Sequence, residues 1–335
     1  MIIVTGGAGF IGSAVVWRLN QAGHDKILVV DHLAKSEKWK NLARLRFDDY
    51  VHKDEFLRRL ERGTIPRAEA VIQLGACSST TERDADYLMA NNYAYSRTLA
   101  SWCLERGVRF IYASSAATYG DGASDYVDDE SMVDRLRPLN GYGYSKQRFD
   151  QWALASGAIR QMVGLKFFNV FGPNEYHKGD MASVVFKAFG QIRNTGRVQL
   201  FKSHHPDYAD GQQARDFVYV KDCAEVILWL LERRTAGLFN LGTGIARTWN
   251  DLTRAVFAAM KLPPQIDYVD MPEALRGRYQ YFTQATMAKL HAAGCPVTFR
   301  SLEDAVRDYV VNYLQADDPY LAPQTVPAAS IRSAA

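Results

Sequence analysis

Long apolar runs are missing from this 335-residue chain; its longest candidates, such as Val226 to Leu231, fall far short of the roughly 18 residues that a membrane span requires. No membrane crossing is expected. Cysteine is scarce: Cys77, Cys103, Cys223 and Cys295 stand far apart, with neither the C-x-x-C pairing of a zinc site nor the density of a disulfide scaffold. Reduced thiols are expected. Charge of one sign is not in excess either, since 40 Lys and Arg face 37 Asp and Glu, a net +3 without basic blocks. Nucleic acid is therefore not an expected partner. The start, Met1-Ile2-Ile3-Val4-Thr5, turns straight into glycines without the charged beginning and roughly 7–15-residue apolar stretch of a signal peptide. A cytoplasmic protein is expected.

What the chain has instead is a rhythm of short apolar runs, Ile2 to Thr5, Lys26 to Val30, Ala70 to Leu74, Arg109 to Ala113 and Met162 to Phe168, separated by helical patterns. The runs are apolar nearly throughout, as strands of a parallel sheet covered on both faces should be. After Asn169 the pattern loosens through the polar stretch Ser203 to Gln213. Order returns at Asp216 to Val220, where Asp222 and Glu225 have capping-box spacing ahead of an apolar helix, and at Phe239 to Gly242. The expected fold is α/β, a doubly wound parallel sheet with a smaller α/β substrate-binding domain built from later segments. Expected boundaries are 1–168 plus 216–245 for the dinucleotide-binding part, 169–215 plus 246–316 for the substrate part, and a mobile tail over 317–335.

Thr5-Gly6-Gly7-Ala8-Gly9-Phe10-Ile11-Gly12 follows a strand and opens a helical pattern, placing glycines at Gly6, Gly9 and Gly12. Glycines there allow a tight turn and close backbone approach to a pyrophosphate seated on the helix N-terminus. Asp31 ends the next strand, roughly 20 residues on, where an acidic group accepts from an adenosine ribose and favours NAD. Lys38 and Lys53 could neutralise a 2′-phosphate and favour NADP. The residues alone leave both open.

Ser114-Ser115 ends the strand Arg109 to Ala113, and Tyr142 and Lys146 stand four residues apart at the start of a helix. They share one helix face, so the ammonium is expected to depress the phenol's pKa and tune it for proton transfer on a sugar hydroxyl while a nicotinamide takes hydride. Ser115 would bond the same oxygen. His177, His204 and His205 lack a convincing third ligand, so no metal site is expected.

Together these motifs resemble the extended short-chain dehydrogenase/reductases, and the match tightens at Gly75-Ala76-Cys77-Ser78-Ser79-Thr80-Thr81, Phe168-Asn169-Val170-Phe171-Gly172-Pro173, His177-Lys178-Gly179 and Gly277-Arg278-Tyr279-Gln280. That combination is similar to the ADP-glyceromanno-heptose 6-epimerases. The resemblance implies an NADP cofactor, with NAD as alternative, held by Phe10, Ile11, Asp31, His32, Lys38, Lys53, Leu74, Gly75, Ala76, Cys77, Ser78, Asn91, Lys146 and Val170. It implies ADP-heptose as substrate, contacting Ser115, Asn169, Asp180, Lys187, Phe201, Lys202, Ser203, His204, Arg215 and Tyr279. Tyr142 and Lys178 would be the two acid/base groups, one for each face of a rotating exocyclic carbonyl. A homo-oligomer, a pentamer by resemblance, is implied for lipopolysaccharide core synthesis. A hexose 4-epimerase and a non-catalytic NADP-binding sensor are the rival readings. A dehydratase lacks its acid/base pair, since Ala116 and Ala117 occupy those positions.

Overall fold

A computed structural model describes residues 1–123, 125–276 and 279–323. In chain order its strands are β1 Ile2–Thr5, β2 Ile27–Asp31, β3 Asp49–His52, β4 Ala70–Gln73, β5 Arg109–Ser115, β6 Val163–Phe167, β7 Asn169–Phe171, β8 Val198–Phe201, β9 Ala214–Tyr219, β10 Gly237–Leu241, β11 Ala246–Thr248 and β12 Ile266–Val269. Helices that matter for the site are α1 Phe10–Gln21, α2 Lys53–Glu61, α3 Ala85–Leu88, α4 Tyr95–Glu105, α5 Gly141–Ala155, α6 Val184–Thr195, α7 Val220–Leu231 and α8 Trp249–Ala259.

Seven strands form one sheet in the order β10-β6-β5-β4-β1-β2-β3, with every pairing parallel. Side chains alternate across it. Ile2, Val4, Ile27 and Val29 enter one core, while Ile3, Leu28 and Val30 enter the core on the opposite face. Both faces are thus apolar, which is why the strands read as continuous runs instead of alternating ones. Strand order reverses between β1 and β4, and there the loops leaving the carboxyl ends diverge to form a crevice.

A second core, including Phe171, Val185, Phe217, Leu252, Val256, Val306 and Tyr309, lies beside this sheet. Its strands are the three-stranded set β11-β9-β7 and the parallel pair β12-β8. β9 therefore does not return to the large sheet as the span 216–245 suggested; of that span, the strand that joins it is β10. The expected capping box is not formed. Tyr219 precedes α7 without a side-chain cap, and Asp222 instead accepts the Arg300 amide at 2.9 Å and pairs with its guanidinium.

The first part of the expected tail is fixed in place: Leu321 is 1% exposed and packs with Phe10, Ala14 and Val220. The remainder of the tail, from 324, lies outside the described residues, as do Gly277 and Arg278. No helix among the described residues is long and apolar enough to cross a membrane.

Candidate active site

The glycine turn is required by its neighbours. Gly6 has φ +70°, and a Cβ on it would lie 2.5 Å from the backbone nitrogen of Gly75; a Cβ on Gly12 would run into the Gly6 carbonyl. The loops after β1 and β4 therefore pack backbone against backbone. α1 begins at Gly9 with no side-chain cap and no acidic residue in its first turn, leaving its N-terminal amides to an anion. These loops wall a cleft of about 320 Å³ lined by Gly6, Gly9, Phe10, Ile11, Gly12, Asp31, Lys38, Leu74, Gly75, Ala76, Ser78, Ser115, Tyr142, Lys146, Val170, His177 and Lys178.

An adjoining pocket of about 140 Å³ brings together Asp31, His32, Lys38, Lys53, Gly75, Ala76, Cys77 and Asn91. Asp31 is only 7% exposed, and its oxygens are engaged: Oδ2 accepts from the Ala8 amide at 2.9 Å, and Oδ1 from the His32 amide at 2.6 Å and Lys38 Nζ at 2.7 Å. Lys53 Nζ donates to Asn91 Oδ1 at 2.6 Å. Tyr95, which the sequence did not single out, also lines this pocket, and its buried hydroxyl has no partner among the described residues. An orphaned donor, two lysines, uncapped helix amides and a cradle that no Cβ could enter fit a phosphate-bearing nicotinamide dinucleotide.

At the other end of the cleft, the Asn140 side chain caps α5 by accepting the Gly143 amide at 2.8 Å, which places Tyr142 and Lys146 one turn apart in the helix. The expected depression of the phenol is not what the structure shows. Burial pushes Tyr142 up, and the Ser115 hydroxyl offsets this only in part. Lys146 is desolvated as well, to about 8, and its Nζ donates to the Ala113 carbonyl at 2.8 Å. Burial thus acts on both groups and outweighs their proximity.

Behind Ser115 lies a buried ionic network that sequence reasoning missed. Lys166 Nζ and Asp150 Oδ2 are 2.8 Å apart, and Asp150 also accepts from Ser114 Oγ at 2.7 Å and Tyr112 OH at 3.0 Å. The signal was present in the sequence: a lysine inside an apolar strand, and an aspartate one turn beyond Lys146.

Lys178 comes from a short turn, residues Tyr176–Met181, yet faces the same cleft as Tyr142. Burial lowers its pKa, and Glu175 opposes that shift. His177 is pushed down to about 4 by burial and by Lys38 and Lys178, so it is neutral at physiological pH. One amide joins this turn to the glycine loop: Asn41 Nδ2 donates to Ala8 O at 3.0 Å and Asn174 O at 3.0 Å, and lies 3.3 Å from His177 Nδ1.

The residues expected to bind substrate are not all brought together. Asp180 and Lys187 meet through Lys187 Nζ on the Asp180 carbonyl, both exposed at the cleft's rim. Asn169 is exposed at the start of β7. Phe201 and Lys202 end β8 on the second core, where Lys202 pairs with Asp270 at 3.2 Å; Ser203 donates its amide to Asp210 and His204 is exposed. Arg215 and Tyr279 do meet, the guanidinium 5.2 Å from the Tyr279 ring and 5.8 Å from that of Trp249. That guanidinium is 6% exposed and bonds the carbonyls of Ala214 and Gln280, so as it stands it braces the protein instead of opening to a diphosphate.

A family model described as the NAD dependent epimerase/dehydratase family matches residues 2–242. The chain belongs to that family of enzymes. Within it, a curated relative from Nitratidesulfovibrio vulgaris, named ADP-L-glycero-D-manno-heptose-6-epimerase, is 61% identical over 323 residues, which is 96% of this chain and 100% of the relative. A relative of the same name from Fusobacterium nucleatum is 48% identical over 332 residues, 96% of this chain and 100% of its own. Among solved structures, the Helicobacter pylori ADP-L-glycero-D-manno-heptose-6-epimerase superposes with a TM-score of 0.75 at 26% identity, covering 92% of this chain and 94% of that one. A Thermotoga maritima UDP-glucose 4-epimerase superposes at 0.76 and 26%, covering 92% and 97%.

Proposed function

We propose that this chain is an isomerase that inverts carbon six of ADP-D-glycero-D-manno-heptose, giving the L-glycero epimer, with NADP as its resident cofactor. The observation that carries the reading is the convergence of Tyr142, Ser115 and Lys178 on one cleft whose far end is the glycine loop. The glycine loop and the α1 N-terminus would hold a dinucleotide there, and its nicotinamide would supply the hydride acceptor and donor for the carbinol carbon.

The protein's task is the proton. Tyr142 removes the hydroxyl proton, with Ser115 bonding the same oxygen and Lys146, one turn along the helix, the cation set against the burial that raises the phenol. Inversion requires the opposite face of the carbonyl, and an exocyclic carbon reaches it by rotating about one bond while the nucleotide stays put. The carbonyl oxygen then lands elsewhere, so a second group must protonate it. Lys178, with a pKa lowered by burial, supplies that proton; between turnovers solvent takes the proton held by Tyr142 and returns one to Lys178.

NADP is favoured over NAD by the adenosine pocket. Asp31 has its oxygens occupied by Ala8, His32 and Lys38, while the unpartnered Tyr95 hydroxyl and the further donors of the Lys38 and Lys53 ammoniums, each so far bonded to one protein oxygen, can meet a phosphate. The test is NMR of purified protein with ADP-D-glycero-D-manno-heptose, with UDP-galactose alongside. Conversion of the first and not the second is expected, with Tyr142→Phe and Lys178→Met each abolishing it while the copurified dinucleotide stays bound. Turnover of UDP-galactose in its place, or unimpaired epimerisation by Lys178→Met, would overturn the assignment.

A further inference from the structure

Residues 174–178 are consecutive, yet their anchors are spread over several distant parts of the chain. Asn174, fully buried with φ +76°, donates to Ser13 Oγ at 2.9 Å and accepts the Leu321 amide at 3.1 Å. The Glu175 carboxylate accepts from Ser183 N at 2.6 Å, Ser183 Oγ at 2.7 Å and Gly172 N at 3.3 Å. Tyr176 donates its hydroxyl to the Pro319 carbonyl at 2.6 Å, and its ring meets that of Tyr320 edge-on at 5.3 Å. His177 faces Asn41, and Lys178 Nζ sits 5.1 Å from the centre of the Phe10 ring.

Two of these anchors, at Asn174 and Tyr176, come from the C-terminal segment 318–322. That segment is fastened independently of the turn. Asp318 pairs with Arg44, Trp17 Nε1 donates to the Ala322 carbonyl at 3.0 Å, and Leu321 packs against Phe10, the same residue whose ring lies under Lys178. The turn itself, Tyr176–Met181, is half-buried to exposed and is broken by Gly179 at φ +53°. A segment with so little burial of its own is set by what clamps it.

We infer that residues 318–322 form a strap that fixes Lys178 in the cleft, so that Tyr176 and Leu321 are positioning residues for the proton transfer at that lysine. The inference rests on the reading of Lys178 as the second acid/base. Leu321 supports the floor beneath the ammonium, while its backbone amide and the Pro319 carbonyl hold the loop on either side of Glu175. Loss of either hold releases the turn while leaving Tyr142 and Lys146 in place on α5. A displacement of about 1 Å in a reacting group can lower a rate on the order of 10²-fold.

The experiment uses the full chain with Leu321→Ala, Leu321→Met and Tyr176→Phe, and a chain ended after Asp317. It measures kcat and KM for epimerisation, copurified dinucleotide, and the pH dependence of Lys178 acylation by acetic anhydride, read by peptide mass spectrometry. Glu175, His177 and Lys187 are the charged or titratable groups that bear on Lys178, and acylation of the exposed Lys261 serves as the internal control. Expected for Leu321→Ala and Tyr176→Phe are a kcat roughly 10–10²-fold lower with KM and dinucleotide unchanged. Lys178 should acylate faster in both, with its midpoint moved toward that of an ordinary lysine, and Leu321→Met should restore the wild-type pattern. Unchanged Lys178 acylation in both point variants overturns the strap, whether or not the shortened chain folds. If the wild-type protein turns over no ADP-heptose, the proposed reaction fails, and the acylation profile still decides whether the strap positions Lys178.

Discussion

Replacing Lys166 by Met tests the buried network behind Ser115 with a magnitude that follows from its geometry. Lys166 and Asp150 are 1% and 0% exposed, so neither charge can be screened by water. With the ammonium gone, the Asp150 carboxylate keeps two neutral donors, Ser114 Oγ and Tyr112 OH, and loses its counter-ion. The Thr118 hydroxyl loses its contact with Nζ but still donates to the Ser115 carbonyl at 2.8 Å, so it adds little to the cost. Uncompensated burial of one partner costs about 3–5 kcal/mol. Combining Lys166→Met with Asp150→Asn should cost less than the two single changes together, by roughly 0.5–3 kcal/mol, because the second change removes the stranded charge. Urea unfolding followed by circular dichroism, with the slope checked for constancy, measures both quantities. A loss below about 1 kcal/mol for Lys166→Met, or strict additivity in the double variant, would refute the claim that this pair acts as a unit.

Gly6→Ala should leave the sheet folded and the protein largely stripped of dinucleotide. The left-handed backbone costs an alanine about 1–2 kcal/mol, and its Cβ must push the Gly75 backbone away from a 2.5 Å approach. Mass spectrometry of the denatured protein checks this, and stoichiometric dinucleotide in the variant would count against it. Lys146 gives a pH prediction. Its folded value, about 8, lies below the ordinary lysine value, so between the two the unfolded chain binds more protons and the dinucleotide-free protein gains stability as pH rises. Lys146→Met should therefore be the more stable protein at pH 7, with its advantage shrinking toward pH 10; an advantage independent of pH would remove the basis for a desolvated ammonium.

The parallel sheet was legible because β1, β2, β4, β5 and β6 are buried on both faces, and that burial writes itself as unbroken Val, Ile and Phe. β3, reading Asp49-Tyr50-Val51-His52 on the sheet's edge, carries no such mark and was not anticipated. β9 looked like its neighbours in composition, but which sheet a buried strand joins is decided by pairing partners far away in sequence. In the site, Gly6, Gly12, Tyr142, Lys146 and Ser115 could be found because backbone clearance and helix periodicity are local constraints. Tyr95 could not, since its significance is a missing partner. Nor could the carbonyl partners of Arg215, at 214 and 280, which tertiary packing sets.

Asn41 links two loops that chemistry would otherwise allow to move separately. Its single amide holds the carbonyl of Ala8 in the glycine loop and that of Asn174 beside the Lys178 turn. Any excursion of the glycine loop wide enough to shed a dinucleotide must therefore also slacken the turn that carries Lys178. For an oxidoreductase that swaps spent for fresh cofactor every cycle, such a tie would be a brake. An epimerase ends each cycle with its cofactor in the state it began, so the same tie places no limit on throughput.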